Sequence, residues 1–333
     1  MAGLVKGASR GEGLGNRFLA TVRECDAICH LVRNYVNDDI IHVEGRVDPV
    51  ADAEVVNLEL LLADLAHVER RLERNTCSGE ERHVLERVLE GLQNGIPART
   101  IGLADEEMFA IKSMGLLTLK PVIYAFNVDD VDFTLNREEA MKQVEEFMGQ
   151  IQYCDLSRDI YTLVSAKLES ELASLTPEER NEYLESLGMM EQETETGTGT
   201  ETGTGTASDA NDNDDGSSSS REELSKLLSY NVLPSLVKDL LNLSLVYTGP
   251  GVPPEKSKTT KSHLYAAGSM TASGLAGKLH GDIQRGFIRA EVMNAHELVQ
   301  YDNYNAAKDN GCVRIEGRDY MIEADDVVLI KWK

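Results

Sequence analysis

Three short apolar runs, Asp26 to Tyr35, Pro121 to Asn127 and Asp159 to Val164, constrain the fold of this chain more than any other feature. Each is rich in Ile, Val, Leu and Tyr and too brief for a helix of ordinary length, so each reads as a strand buried on both faces of a parallel sheet. Helical patterns separate them, which places the chain in the α/β class. Between the first two runs, Asp48 and Pro49 form an N-cap and first-turn pair, after which Val55, Leu58, Leu62, Leu65, Val68 and Leu72 recur at helical spacing. A second helix starts at Ser78, with Glu81 three residues on as a capping box, and carries Leu85, Val88, Leu89 and Leu92 up to Gly95. The two make an antiparallel helical hairpin. Upstream, Leu14 to Cys25 reads as a helix with Phe18, Leu19 and Val22 on its apolar face.

The segment Glu191 to Ser220 has eight acidic residues, no basic one, and alanine as its only apolar side chain. It cannot bury enough surface to offset the entropy of ordering, so it is expected to stay disordered as a linker or insertion. Thr176 and Glu179 cap the helix before it. The helix after it includes Leu233, Leu236, Val237, Leu240 and Leu241, with Pro234 expected in its first turn. From Leu245 the pattern becomes one of short strands. Phe287 to Val292, Val313 to Ile315, Asp319 to Ile322 and Val327 to Trp332 are the expected strands, with turns at Glu316-Gly317 and Ala324-Asp325.

Charge is distributed unevenly. The 333 residues carry 33 Lys/Arg and 57 Asp/Glu, a formal −24. Leu243 to Lys333 holds 11 of each kind, so the whole acidic excess precedes Leu243. Such a balance argues against broad affinity for DNA or RNA, which needs clustered Lys and Arg, while a neutral C-terminal unit can still place a basic face on structured RNA. No apolar run approaches the roughly 18 residues of a membrane span. Cys25, Cys29, Cys77, Cys154 and Cys312 are odd in number and scattered, favouring reduced thiols over a disulfide frame or a metal pair.

Gly3, Gly7, Gly11, Gly13 and Gly15 invite comparison with a dinucleotide loop, but such a loop follows a strand, so a loop leading into the first helix is the simpler reading. No G-x-x-x-x-G-K-[ST] occurs in the sequence. After the second apolar run, Asn127, Val128, Asp129 and Asp130 occupy the place of the N-K-x-D loop of GTPases, and Ser165, Ala166 and Lys167 after the third run that of the base-closing S-A-K element. A solvated acidic loop accounts equally well for Asp129, Asp130 and Asp132 taken alone. His280 and Asp282 have the spacing of a loop-stabilising hydrogen bond.

AGLVKGASRGEGLGNRFLATVRECDAICHLVR (Ala2 to Arg33), IIHVEGRVDP (Ile40 to Pro49) and LLTLKP (Leu116 to Pro121) closely resemble segments of the YchF family of Obg-like ATPases. HGDIQRGFIRAEV (His280 to Val292) and RIEGRDYMIEADDVVLIKW (Arg314 to Trp332) resemble that family's C-terminal TGS domain, a ubiquitin-like β-grasp. SHLYAAGSMTASGLAG (Ser262 to Gly277) departs from the family's usual text. The resemblance implies an incomplete P-loop GTPase-type parallel sheet with an inserted helical hairpin, followed by a β-grasp domain. The expected organisation is 1–47 and 113–187 for the residual G domain, 48–112 for the hairpin, 188–222 for the acidic segment, 223–244 for a connecting helix and 245–333 for the TGS domain.

The same resemblance implies ATP or GTP with Mg2+, a cytoplasmic or organellar setting, and association with ribosomes or translation factors. Nucleotide contacts are expected from Asn127, Val128, Asp130, Ser165 and Ala166. Gly3 and Leu4 are the remnant of switch II, with Leu4 where ordinary GTPases place a water-orienting Gln. The metal-side carboxylate and threonine of the family have no counterpart, so no metal ligands are expected in this chain. His42 matches a histidine proposed to approach the γ-phosphate, although a His between apolar neighbours is more often structural. Asp130 matches the guanine pattern where the family usually has Glu. Without the phosphate loop the 333 residues are expected to hydrolyse nucleotide poorly, as a fragment of an active enzyme or as a binding module working through the hairpin and TGS domain. The strand at Asp26 to Tyr35 is expected to leave an open sheet edge prone to self-association.

Overall fold

The computed structural model describes residues 14–37, 39–42, 45–74, 77–154, 158–176, 179, 180, 182, 183, 228–249, 260–301 and 304–333. Gly3, Leu4, the Gly-rich start and the Glu191 to Ser220 segment therefore lie outside the described residues. The chain divides into two compact units, Met1–Leu236 and Val237–Lys333.

In the first unit, β1 (Ile28–Arg33), β2 (Val122–Asn127) and β3 (Ile160–Val164) form a parallel sheet in the order β1-β2-β3. Strand β2 is central, and its near-continuous burial reflects the need to fill both sheet faces: Ile123, Tyr124, Ala125 and Phe126 are inaccessible to solvent. Helices α5 (Asp130–Thr134), α6 (Arg137–Gln150) and α7 (Ala166–Ser174) supply Phe133, Val144, Met148, Leu168 and Leu172 to the core around Phe126 and Leu163. Among the described strands β1 is at the edge, with Leu31 57% exposed.

The hairpin consists of α2 (Pro49–Glu73) and α3 (Gly79–Gln93). Both caps follow from the sequence: Asp48 accepts from the Ala51 amide at 3.1 Å and Ser78 from the Glu81 amide at 3.2 Å. Leu61 and Val68 of α2 pack on Val84, Leu85, Val88 and Leu92 of α3, and Ile111, at the end of α4 (Asp105–Ile111), closes this core with Met114 and Leu116. The apolar stripe of α2 is not quite the expected one. Leu58 is half exposed, whereas the charged Asp64 is fully buried. Asp64 accepts hydrogen bonds from Arg23 Nη1 (2.7 Å), the Leu117 amide (3.1 Å), the Thr118 amide (2.7 Å) and Thr118 Oγ1 (2.8 Å). It thereby joins α2 to Arg23, the last residue of α1 (Leu14–Arg23), and to the turn before β2.

The second unit contains a mixed sheet in the order β5-β4-β8-β6-β7, from β4 (Leu243–Thr248), β5 (Lys261–Ala266), β6 (Phe287–Asn294), β7 (Arg314–Glu316) and β8 (Asp326–Trp332). Helix α8 (Ser229–Leu240) precedes it and α9 (Ala272–Leu279), capped by Thr271, packs on it. Three expectations require correction. Pro234 lies inside α8 rather than in its first turn, at a solvent-facing position. The helix expected to run through 244 ends at Leu240, because Asn242 adopts a left-handed φ of 48° and β4 begins at Leu243. Asp319 to Ile322 is not a strand. Its backbone pairs with the residues that open α9 through one isolated antiparallel bridge, Met321 to Thr271, in which the Ala272 amide donates to Tyr320 O at 2.8 Å and the Ile322 amide to Met270 O at 2.9 Å. The Ala324-Asp325 turn forms with Asp325 at φ 60°.

Candidate functional site at the carboxyl ends of β2 and β3

Ligands of open parallel sheets bind outside the carboxyl ends of the strands, where successive loops diverge. Here those loops follow β2 and β3, and side chains cross-link them. Asn127 is the last residue of β2; its Oδ1 accepts from the Ala166 amide at 3.0 Å, and its carbonyl accepts from the Asn34 amide beyond β1 at 2.8 Å. The buried Val128 donates its amide to Val164 O at 2.9 Å, zipping the first loop to β3. Asp129 then caps α5 by accepting from the Asp132 amide at 2.9 Å.

Asp130 turns back toward the second loop. Its Oδ1 accepts from Ser165 Oγ at 3.2 Å and its Oδ2 pairs with Lys167 Nζ. Ser165, itself fully buried, also caps α7 through the Leu168 amide at 3.4 Å. The carboxylate of Asp130 raises the Lys167 amine above its ordinary range, although that side chain is largely exposed and the pair contributes little to stability. Each carboxylate oxygen keeps a second lone pair, so Asp130 is aimed by its two neighbours and still able to accept from a ligand. Asn127, Val128, Asp130, Ser165 and Ala166 thus converge in one cross-linked pair of loops. The acidic loop is more than a solvated turn, since two of its side chains hold the neighbouring loop.

His42 is tied elsewhere. Its Nε2 lies 2.8 Å from Asp52 Oδ2 in the first turn of α2, and both side chains are mostly buried. His280 Nδ1 accepts from the Asp282 amide at 3.1 Å, the local turn contact its spacing anticipates. Lys167 is the member of the loop pair whose side-chain role the tripeptide did not reveal; its partner Asp130 is 37 residues away.

The comparisons fit this geometry. Residues 258–333 match the family model YchF-GTPase_C, described as a protein of unknown function (DUF933). The ribosome-binding ATPase YchF of Haemophilus influenzae is 37% identical over 336 residues, covering 98% of this chain and 78% of that protein. The chain belongs to the YchF family. The Bacillus subtilis ribosome-binding ATPase YchF is 34% identical over 338 residues, covering 98% of this chain and 79% of its own length. Among solved structures, the Schizosaccharomyces pombe YchF GTPase superposes with a TM-score of 0.70 at 28% identity, covering 99% of this chain and 78% of that one. The α/β architecture, a GTPase-type parallel sheet followed by a C-terminal mixed sheet, is therefore that of YchF.

Proposed function

We propose that this chain binds the base of ATP or GTP between the β2 and β3 loops and works with the ribosome or translation factors; the name of its YchF relatives, ribosome-binding ATPase, supports the ATP and ribosome parts. The observation that carries the nucleotide reading is the bonded set Asn127–Ala166 and Asp130–Ser165–Lys167. A base needs fixed donors and acceptors on its edge, and loops that lock one another cost little to reorganise when it arrives. Asn127, Val128, Asp130, Ser165 and Ala166 would hold the nucleotide, whose triphosphate supplies the phosphoanhydride bond that YchF ATPases cleave. Guanine offers Asp130 two donors, while adenine offers a donor and an acceptor, so the carboxylate discriminates between them according to how firmly Ser165 and Lys167 hold it.

Mg2+ accompanies the nucleotide in this reading, but no cluster of three or more His, Cys, Asp or Glu side chains suited to a metal occurs among the described residues. Hydrolysis by these 333 residues is expected to be slow, since phosphoryl transfer depends on positioned phosphate and metal ligands and the sequence contains no G-x-x-x-x-G-K-[ST]. A cytoplasmic setting belongs to the same proposal, and no helix among the described residues is long and apolar enough to cross a membrane. Two measurements test the reading: co-sedimentation with purified ribosomes, and phosphate release from ATP and GTP. Ribosome-dependent pelleting with negligible turnover is expected. Absence from the ribosome pellet would overturn the ribosome half, and phosphate release well above background would overturn the expectation of slow hydrolysis.

A further inference from the structure

A groove of about 540 Å³ runs between α1 and α2, away from the β2 and β3 loops, and none of its lining side chains is acidic. Its apolar lining is Leu19, Ala20, Ala63 and Ala66. Its rim is cationic in a chain whose net charge is −24. The rim arginines divide into two kinds. Arg23 is consumed by Asp64, Gly115 O and Ala63 O, and Arg71 by Glu81 at 2.9 Å. Arg70 bonds only its own helix, through Nε to Ala66 O at 2.9 Å, and neither Arg70 nor Arg74 has an acidic partner among the described residues.

Arg70 and Arg74 stand four residues apart, on one face of the last turn of α2 and its C-cap. Complementing the helix dipole accounts for cations at that end, though not for their convergence over a groove with His67. His67 Nδ1 is shielded from solvent and has no hydrogen-bond partner. Burial first, and then the positive charge of Arg23, hold this imidazole below its ordinary range; Asp64 opposes the shift, and Arg70 and Arg74 add to it.

We infer that this groove is a phosphate-backbone site for a strand of structured RNA, with Arg70 and Arg74 on successive phosphates and a sugar or base face over the alanine lining. Guanidinium forks match phosphate oxygens bidentately, and the small lining residues let a flat group approach the helix. The inference rests on the ribosome reading above for the choice of RNA over an acidic protein segment. The net charge of −24 disfavours polyanions, so the contact must be local and salt-sensitive.

The test uses the full 333-residue chain, a fluorescein-labelled RNA hairpin followed by anisotropy from 50 to 200 mM salt, polyglutamate as competitor, and ribosome pelleting in parallel. Arg70→Glu with Arg74→Glu is expected to weaken hairpin binding about tenfold and to reduce the log–log salt slope by about 1.4 to 1.8. Arg70→Lys with Arg74→Lys is expected to keep the salt slope but to lose part of the affinity, because an ammonium supplies the charge without the guanidinium fork. Equal affinity of wild type and the Glu variant, or no hairpin binding by wild type, would overturn the inference. Polyglutamate binding that displaces the hairpin and is itself lost in the Glu variant would also overturn it, reassigning the groove to an acidic protein segment. Ribosome pelleting separates the two readings: pelleting unchanged in the Glu variant sinks the groove alone, whereas hairpin binding without pelleting supports the groove and sinks the ribosome role.

Discussion

Replacing Asp64 by Ala is expected to destabilise the first unit more than any change to its exposed charges. The carboxylate is fully buried and accepts four hydrogen bonds, from Arg23, the Leu117 amide, and the amide and hydroxyl of Thr118. Deleting one partner of a buried pair costs about 3–5 kcal/mol, because the charge left behind is uncompensated. Arg23, whose side chain is 18% exposed, can recover some hydration, which moves the expectation toward the lower end. The two amides cannot, and each orphaned buried donor costs about 1–3 kcal/mol. These terms share one site and do not add, so a loss of about 4 kcal/mol is the working figure.

Urea unfolding followed by far-UV circular dichroism should show the helical transition moving to a lower midpoint, by about 2–4 M for a slope of about 1–2 kcal/mol/M. Trp332, the single tryptophan, lies in the second unit and gives an internal control: its fluorescence transition should stay in place. Asp64→Asn should fall between wild type and Ala, since it keeps one acceptor oxygen but sets a donor against donors. An Asp64→Ala transition within about 1 kcal/mol of wild type would refute the argument that this carboxylate fastens α1, α2 and the turn before β2.

Other consequences are equally open to measurement. His30, buried beside the Tyr124 ring, is held down to about 4 by desolvation, so it stays neutral in the fold while its unfolded counterpart takes a proton near 6.5. Its contribution is therefore complete above pH 6.5 and is lost as pH falls toward 4, a change of about 3 kcal/mol; His30→Phe should flatten that part of a stability–pH curve, and an unchanged slope would count against it. Strand β1, at the edge of the sheet among the described strands and with Leu31 exposed, is expected to drive concentration-dependent association of the 333-residue chain, which a monodisperse monomer in sedimentation velocity would contradict. Asn127→Ala removes the bond to the Ala166 amide and should weaken nucleotide binding severalfold while lowering stability by only about 1 kcal/mol; equal affinity for ATP and GTP before and after would refute its role.

What the sequence disclosed depended on whether a residue's local pattern matched its three-dimensional duty. The run at Pro121 to Asn127 announced the central strand because a segment buried on both faces has no alternation to hide. Asp48 and Ser78 announced their helices because a cap acts within three residues. The Asn127 and Ser165 loops were legible only as strand-terminal motifs, and their mutual bonding emerged once β2 and β3 lay side by side. Asp64 was invisible, since an acid inside a helix reads as surface until residues 53 and 54 positions away are seen donating to it. The Lys261 to Ala266 strand was missed because half of its residues are polar, and Asp319 to Ile322 was misread because Tyr320 and Ile322 alternate into the core although their backbone pairs through one bridge and extends no ladder.

The loop pair after β2 and β3 faces its most direct test in a ¹H–¹⁵N titration of the 333-residue chain with ATP and with GTP. Saturable shifts at the amides of Val128, Ala166 and Lys167, lost in Asn127→Ala, are expected. Spectra that remain unchanged at millimolar nucleotide, or shifts confined to other residues, would contradict a base site at this edge of the sheet.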